Sequence, residues 1–124
     1  MSNDEKHSSN IKVVVDGEDN RFRPDSFSGG PAGFRMDASL DSTFLELDYG
    51  AYVTETQTLP HTKIKVKANS PSGQEFGHVV AGTLRVVVLG NTYTGTFNDV
   101  KVDGTGAGEG STLVLSGDYV IVRA

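Results

Sequence analysis

An antiparallel β-sandwich or flattened β-barrel of about eight strands is the fold this sequence predicts, and three observations carry it. First, two strand-like runs, Thr83–Leu89 and Thr92–Asn98, flank Gly90-Asn91, a dipeptide that supplies the positive φ a two-residue hairpin needs. Second, short alternating or β-branched runs recur along the chain, divided by turn residues, at the spacing of sandwiches and barrels. Third, no segment has the 3.6-residue apolar period of an amphipathic helix, and no internal repeat of fixed period is found.

Residues 1–10 are polar and read as a disordered N-terminal segment, leaving 11–124 as a single all-β domain. Ile11–Val15 is the first strand and stops at Asp16-Gly17, a turn signal. Glu18–Gly33 holds Pro24, Pro31 and Gly29-Gly30, and reads as an ordered crossing loop whose Phe22 and Phe27 cap one end of the core. Gly33–Met36 is a brief strand, and Ser42–Asp48 a stronger one that Tyr49–Val53 continues after a bend at Gly50. Alternation in 42–48 sets Phe44, Glu46 and Asp48 against Leu45 and Leu47. His61–Ala68 follows, with Ile64 and Val66 on one side and four cations on the other.

In the hairpin, pairing outward from Gly90-Asn91 puts Val88 opposite Tyr93, Val86 opposite Gly95 and Leu84 opposite Phe97, all on one face. Phe76–Ala81 leads into it, and Val100–Val102 extends its second arm past a bulge near Asn98-Asp99. Gly104–Gly110 reads as a mobile hairpin loop. A final pair, Ser111–Leu115 and Asp118–Arg123, is joined by a Ser116-Gly117 turn and is apolar on both sides, with Leu113, Leu115, Val120 and Val122 on one face and Val114, Tyr119 and Ile121 on the other. The expected core comprises Val13, Phe44 or the Leu45/Leu47 pair, Ile64, Val66, Leu84, Val86, Val88, Phe97, Leu113, Val120 and Val122. A short all-β chain with Gly-Thr-rich hairpins near its C-terminus is similar in look to many lipocalin-like and jelly-roll-like bacterial domains.

The chain has 124 residues, enough to bury its own core, and no cysteine, so neither disulfides nor thiolate sites enter. Its formal charge of −5 is uneven: residues 1–60 hold 11 acids and 5 bases, residues 61–124 hold 5 acids and 6 bases. Duplex DNA and bulk RNA are disfavoured as partners, because phosphate neutralisation needs a basic excess. No stretch is apolar for the length of a membrane span, and the opening residues lack the apolar region of a signal peptide. Cytoplasmic is thus the default expectation, one that a chain shorn of its leader would share.

The sharpest functional feature is the row His61, Lys63, Lys65, Lys67, about 7 Å between members if strand geometry holds. Such a row suits a carboxylate, phosphate or sulfated ligand, although lysines on exposed strands also serve to deter aggregation. Arg21, Arg23 and Arg35, interleaved with Phe22, Phe27 and Phe34, form a second candidate for stacking plus charge recognition. The plain alternative is that the phenylalanines plug the core while the arginines answer Glu18, Asp19 and Asp25.

Catalytic and metal motifs are not found. Asp16, Glu18 and Asn20 match the first ligands of a calcium loop, but Arg21 and Phe27 occupy its glycine and glutamate positions. The 104–110 glycines fit neither phosphate-loop pattern, and no Gly-x-Ser-x-Gly or His-Glu-x-x-His occurs. No cofactor is implied. The expected function is a non-catalytic binding or interaction module. Its cationic residues would meet a polar or anionic small molecule, a glycan or an acidic protein surface. A carrier of a small apolar ligand is the alternative and requires a cavity lined by Phe44, Tyr93 and Phe97. A structural subunit of a homo-oligomer is the third reading, resting on the two-sided apolar strands 111–123.

Overall fold

The computed structural model describes residues 7–20 and 22–123. Ten strands form one antiparallel sheet: β1 (Ser8–Val15), β2 (Glu18–Asn20), β3 (Ser26–Gly30), β4 (Gly33–Ala38), β5 (Thr43–Asp48), β6 (Gln57–Pro60), β7 (Lys65–Asn69), β8 (Glu75–Leu89), β9 (Thr92–Thr105) and β10 (Thr112–Val122). Their order is β2-β1-β10-β9-β8-β7-β5-β4-β3, with β6 paired to β8 off this path. The sheet curls into a half-barrel, so that its own inner face supplies the core.

The expected hairpin is present in the expected register. Val88 faces Tyr93, Val86 faces Gly95 and Leu84 faces Phe97. Gly90 sits at φ 61 with Asn91 following, as a turn with glycine at its first central position requires. Leu84, Val86, Tyr93 and Phe97 are all buried, each such apolar side chain contributing about 1.5–3 kcal/mol.

A line of bulges crosses the sheet and bends it. Asp99 (φ 48) is the extra residue in β9, Gly82 (φ 98) lies beside it in β8, and Gly117 (φ 93) marks the register shift in β10. Bulges of this kind raise local twist and curvature, which a flat ten-stranded sheet would lack. The bulge at Asn98-Asp99 matches the sequence reading. Ser116-Gly117, by contrast, is no hairpin turn: β10 runs unbroken from Thr112 to Val122. Its inward residues are therefore Leu113, Leu115, Tyr119 and Ile121, while Val120 and Val122 face outward.

Other differences have equally local causes. β1 starts at Ser8, which pairs with Val120, so residues 8–10 of the expected disordered segment are strand, and residues 1–6 lie outside the described residues. The 18–33 stretch contains β2 and β3, with Phe22 and Phe27 packed against the core as expected. Residues 49–53 leave the sheet: Tyr49 and Val53 donate their N–H groups to Ala32 and Pro31. Leu45 and Leu47 are buried, whereas Phe44 is on the outer face. Val13 and Val88 are half-buried against the core. The 104–110 loop is a tight, closed turn, in which the Gly104 N–H donates to the Ser111 carbonyl at 2.8 Å and Gly108 is packed under Glu75.

Candidate functional site

The charged side chains selected from the sequence meet in part on the outer face of β4, β5 and β7. Register alone brings them together. Arg35 on β4 pairs with Glu46 on β5, Glu46 pairs with Lys67 on β7, and Asp48 pairs with Lys65. Because strand side chains alternate, these residues share the face opposite to Met36, Leu45, Leu47 and Val66, all buried. The result is a checkerboard of positive and negative groups.

Arg35 is its most constrained member. Its guanidinium donates to Asp37 at 2.9–3.2 Å and to Glu46 at 3.2 Å, and its central carbon lies 4.5 Å from the centroid of the Phe44 ring. Hydrogen bonding to Asp37, then the charges of Asp37 and Glu46, hold the guanidinium pKa above its ordinary value. Phe44 thus serves as a platform on the outer face. It cannot share a chamber with Tyr93 and Phe97 on the inner one, so the three residues named for an apolar carrier cavity do not converge. A partly open space of about 20 Å³ at the seam, lined by Val13, Phe22, Phe44, Leu45 and Leu115 among others, has room for roughly one water.

The four-cation row is broken. Pro60 ends β6, and His61–Lys63 form a single 3-10 turn before β7 begins. Only Lys65 and Lys67 occupy one strand face; Lys63 and His61 lie on the turn, whose Lys63 carbonyl packs against Gly50. Lys65 and Lys67 border a shallow recess with Glu46 and Asp48. Arg23 is exposed on the loop before β3, and Arg21 lies outside the described residues.

A feature that no sequence motif announces adjoins the checkerboard. An open groove of about 800 Å³ is walled by the Gly29–Gly33 turn, Arg35, Glu46, Asp48, Tyr52, Thr54 and Arg123. Tyr52 is 76% exposed, a large aromatic surface left in water. Arg123 reaches this groove because its N–H bonds the Asn91 carbonyl, which carries β10 on past the hairpin tip. In the sequence, Tyr52 falls in the stretch 49–53 that reads as a continuation of the preceding strand, so nothing marks it as part of a groove.

Two further acids, Asp16 and Asp25, have structural partners. Asp16 accepts the Thr112 N–H at 2.9 Å, and that bond, with Ser111 nearby, holds its carboxyl below the usual range. Asp25 is lowered in the same way by the Ser39 hydroxyl and N–H. Among the described residues, no group of three or more His, Asp or Glu side chains is placed to hold a metal ion. No helix of the described residues is long and apolar enough to cross a membrane. Comparisons with models of protein families, with curated proteins and with solved structures gave no match.

Proposed function

We propose that the protein is a non-catalytic binding module that recognises a polar or anionic partner across the outer face of β4, β5 and β7. The observation that carries this reading is convergence. Arg35, Lys65 and Lys67, from segments about thirty residues apart, lie on one face beside a groove that holds Arg123 and exposed Tyr52. Glu46 and Asp48 stand between the cations. A partner for this face must therefore offer both acceptors for the cations and donors for the carboxylates, as a sulfated or carboxylated glycan does. Lys63, His61 and Arg23 lie outside the checkerboard and would act as flanking charges.

The test uses a sulfated oligosaccharide as the probe and a neutral oligosaccharide as its control, followed by titration calorimetry. Wild-type protein should bind the sulfated probe with an affinity that falls as salt is raised. Replacing Lys63, Lys65 and Lys67 together by serine should abolish that binding while the circular dichroism stays unchanged. Undiminished binding in the triple variant would remove the proposal.

A further inference from the structure

The other half of the sheet carries an outer face of a different kind. Cross-strand pairing on β8, β9 and β10 sets out three rows: Arg85-Thr96-Asp118, Val87-Thr94-Val120 and Leu89-Thr92-Val122. All nine alternate with buried or half-buried residues and so point away from the core. Two rows are uncharged and β-branched apart from Leu89, which is 72% exposed. A flat apolar field of this sort on a twisted sheet is suited to stacking against a second sheet.

The third row says which sheet. Arg85 and Asp118 lie two strands apart, about 10 Å at ordinary strand spacing, with Thr96 between them, and they do not close to an ion pair within one copy. Neither has an ion-pair partner among the described residues; Arg85 makes only a 3.4 Å hydrogen bond to Thr58. A two-fold axis running along β9 in the plane of contact would lay β8 of one copy over β10 of the next. Arg85 would then face Asp118, Val87 would face Val120 and Leu89 would face Val122, each pairing occurring twice, while Thr92, Thr94 and Thr96 meet themselves on the axis. Thr58, beyond Arg85, would face Asn10, which pairs with Asp118.

We propose that this face is a self-association surface, and that its partner is a second copy of the same chain in a closed two-fold dimer. Isologous contact of this type requires that residue i meet j and j meet i, the condition that Arg85 and Asp118 satisfy about β9. The footprint ends at the line of bulges through Gly82, Asp99 and Gly117, where the sheet bends. Lys101, the first outward residue of β9 beyond the bulge, lies past that line and outside the contact. Nine side chains tile roughly 300 Å² of each copy at strand spacings. That is small for a permanent dimer, so association is weak and concentration-dependent.

Sedimentation velocity of the full chain over a wide concentration series tests this. The mass should rise from monomer toward dimer and stop there, and added salt should weaken the association. Arg85→Asp and Asp118→Arg each bring like charges together and should weaken it about tenfold or more. The double variant Arg85→Asp/Asp118→Arg restores the facing pair and should recover most of the wild-type affinity. All these sites are exposed, and circular dichroism checks that each variant folds. A chain that stays monomeric throughout, species that grow beyond dimer, or a double variant no better than the singles would each overturn the proposal. So would a dimer that survives Val120→Lys.

Discussion

The two halves of the half-barrel share an inner face and differ on the outer one. Over β4, β5 and β7 the outside is a grid of Arg35, Asp37, Glu46, Asp48, Lys65 and Lys67, with Phe44 beneath the arginine. Over the segments 85–89 of β8, 92–96 of β9 and 118–122 of β10 the outside is threonine, valine and leucine, with one charge of each sign at the border. Inside, both halves contribute to a single apolar cluster from Ile11 to Ile121. Burial therefore dictates one face of each strand, and the requirements of folding leave the other open. The free face departs from a neutral mixture in opposite directions in the two halves.

The largest expected effect falls on the shared interior, where the distinction between halves should vanish. Gly95 lies opposite Val86, and a Cβ built on it would fall within the ring of Tyr119. Tyr119 in turn packs on Phe34 of β4, at 4.4 Å between ring centroids. Gly95→Val should cost about 3 kcal/mol or more, since the ring is confined on both sides. Denaturant unfolding of this variant should stay a single transition. Two separated transitions would mean that the halves fold independently and that one core is the wrong description.

A smaller effect concerns the polar tie between the halves. Tyr49, just after β5, and Tyr119 of β10 are fully buried, and their hydroxyls are 2.7 Å apart. Either single change to phenylalanine leaves one hydroxyl buried without this partner, at a cost of about 1–3 kcal/mol, whereas the double change should cost less than the two together. The pair also sets an alkaline limit. Burial pushes Tyr49 from 10.0 up to about 12 and Tyr119 higher still. The folded chain thus keeps protons that the unfolded chain releases. Stability should be intact below pH 10 and fall as pH rises from there toward about 12 and beyond. Tyr49→Phe/Tyr119→Phe should flatten that fall, measured by denaturant midpoints across the range. An unchanged slope would place the alkaline sensitivity elsewhere.

This split between faces also explains what the sequence could convey. The β8–β9 register was legible because Gly90 fixed the turn, and because the inner residues are apolar while Arg85 and Thr96 are not. β10 was not, since Val120 and Val122 are as apolar as Tyr119 and Ile121, and period two cannot choose between two apolar faces. Ser116-Gly117 compounded the ambiguity, since a glycine at positive φ serves a bulge as well as a turn. Phe44 raised the same difficulty on β5: an aromatic on an outer face looks like core until the Arg35 guanidinium is seen above it. The lysine row read as one strand because alternation continues across His61–Lys63, while Pro60 and the 3-10 turn that follows break the chain's direction. Convergence of Arg35 with Lys65 and Lys67 depends on β5 lying between β4 and β7, a matter of topology that no local pattern encodes.

On the charged face the expected effects on stability are small and unequal. Arg35 is held by two carboxylates and a ring, yet its side chain is 44% exposed. Arg35→Ala should cost about 0.5–1 kcal/mol, the range for an exposed pair with good geometry and an aromatic contact. Lys65 and Lys67 are exposed opposite Asp48 and Glu46 without closing to ion-pair distance among the described residues. Lys65→Ser/Lys67→Ser should shift stability by no more than about 0.5 kcal/mol. The contrast separates a charge that the sheet uses from charges it merely displays. If the lysine pair proved as costly as Arg35, the cations would be needed to offset Glu46 and Asp48 within the sheet, and the face would be a structural ladder. If the pair is neutral to folding while binding of a sulfated probe is lost, the lysines are there for a partner, and the difference between the two outer faces is one of function.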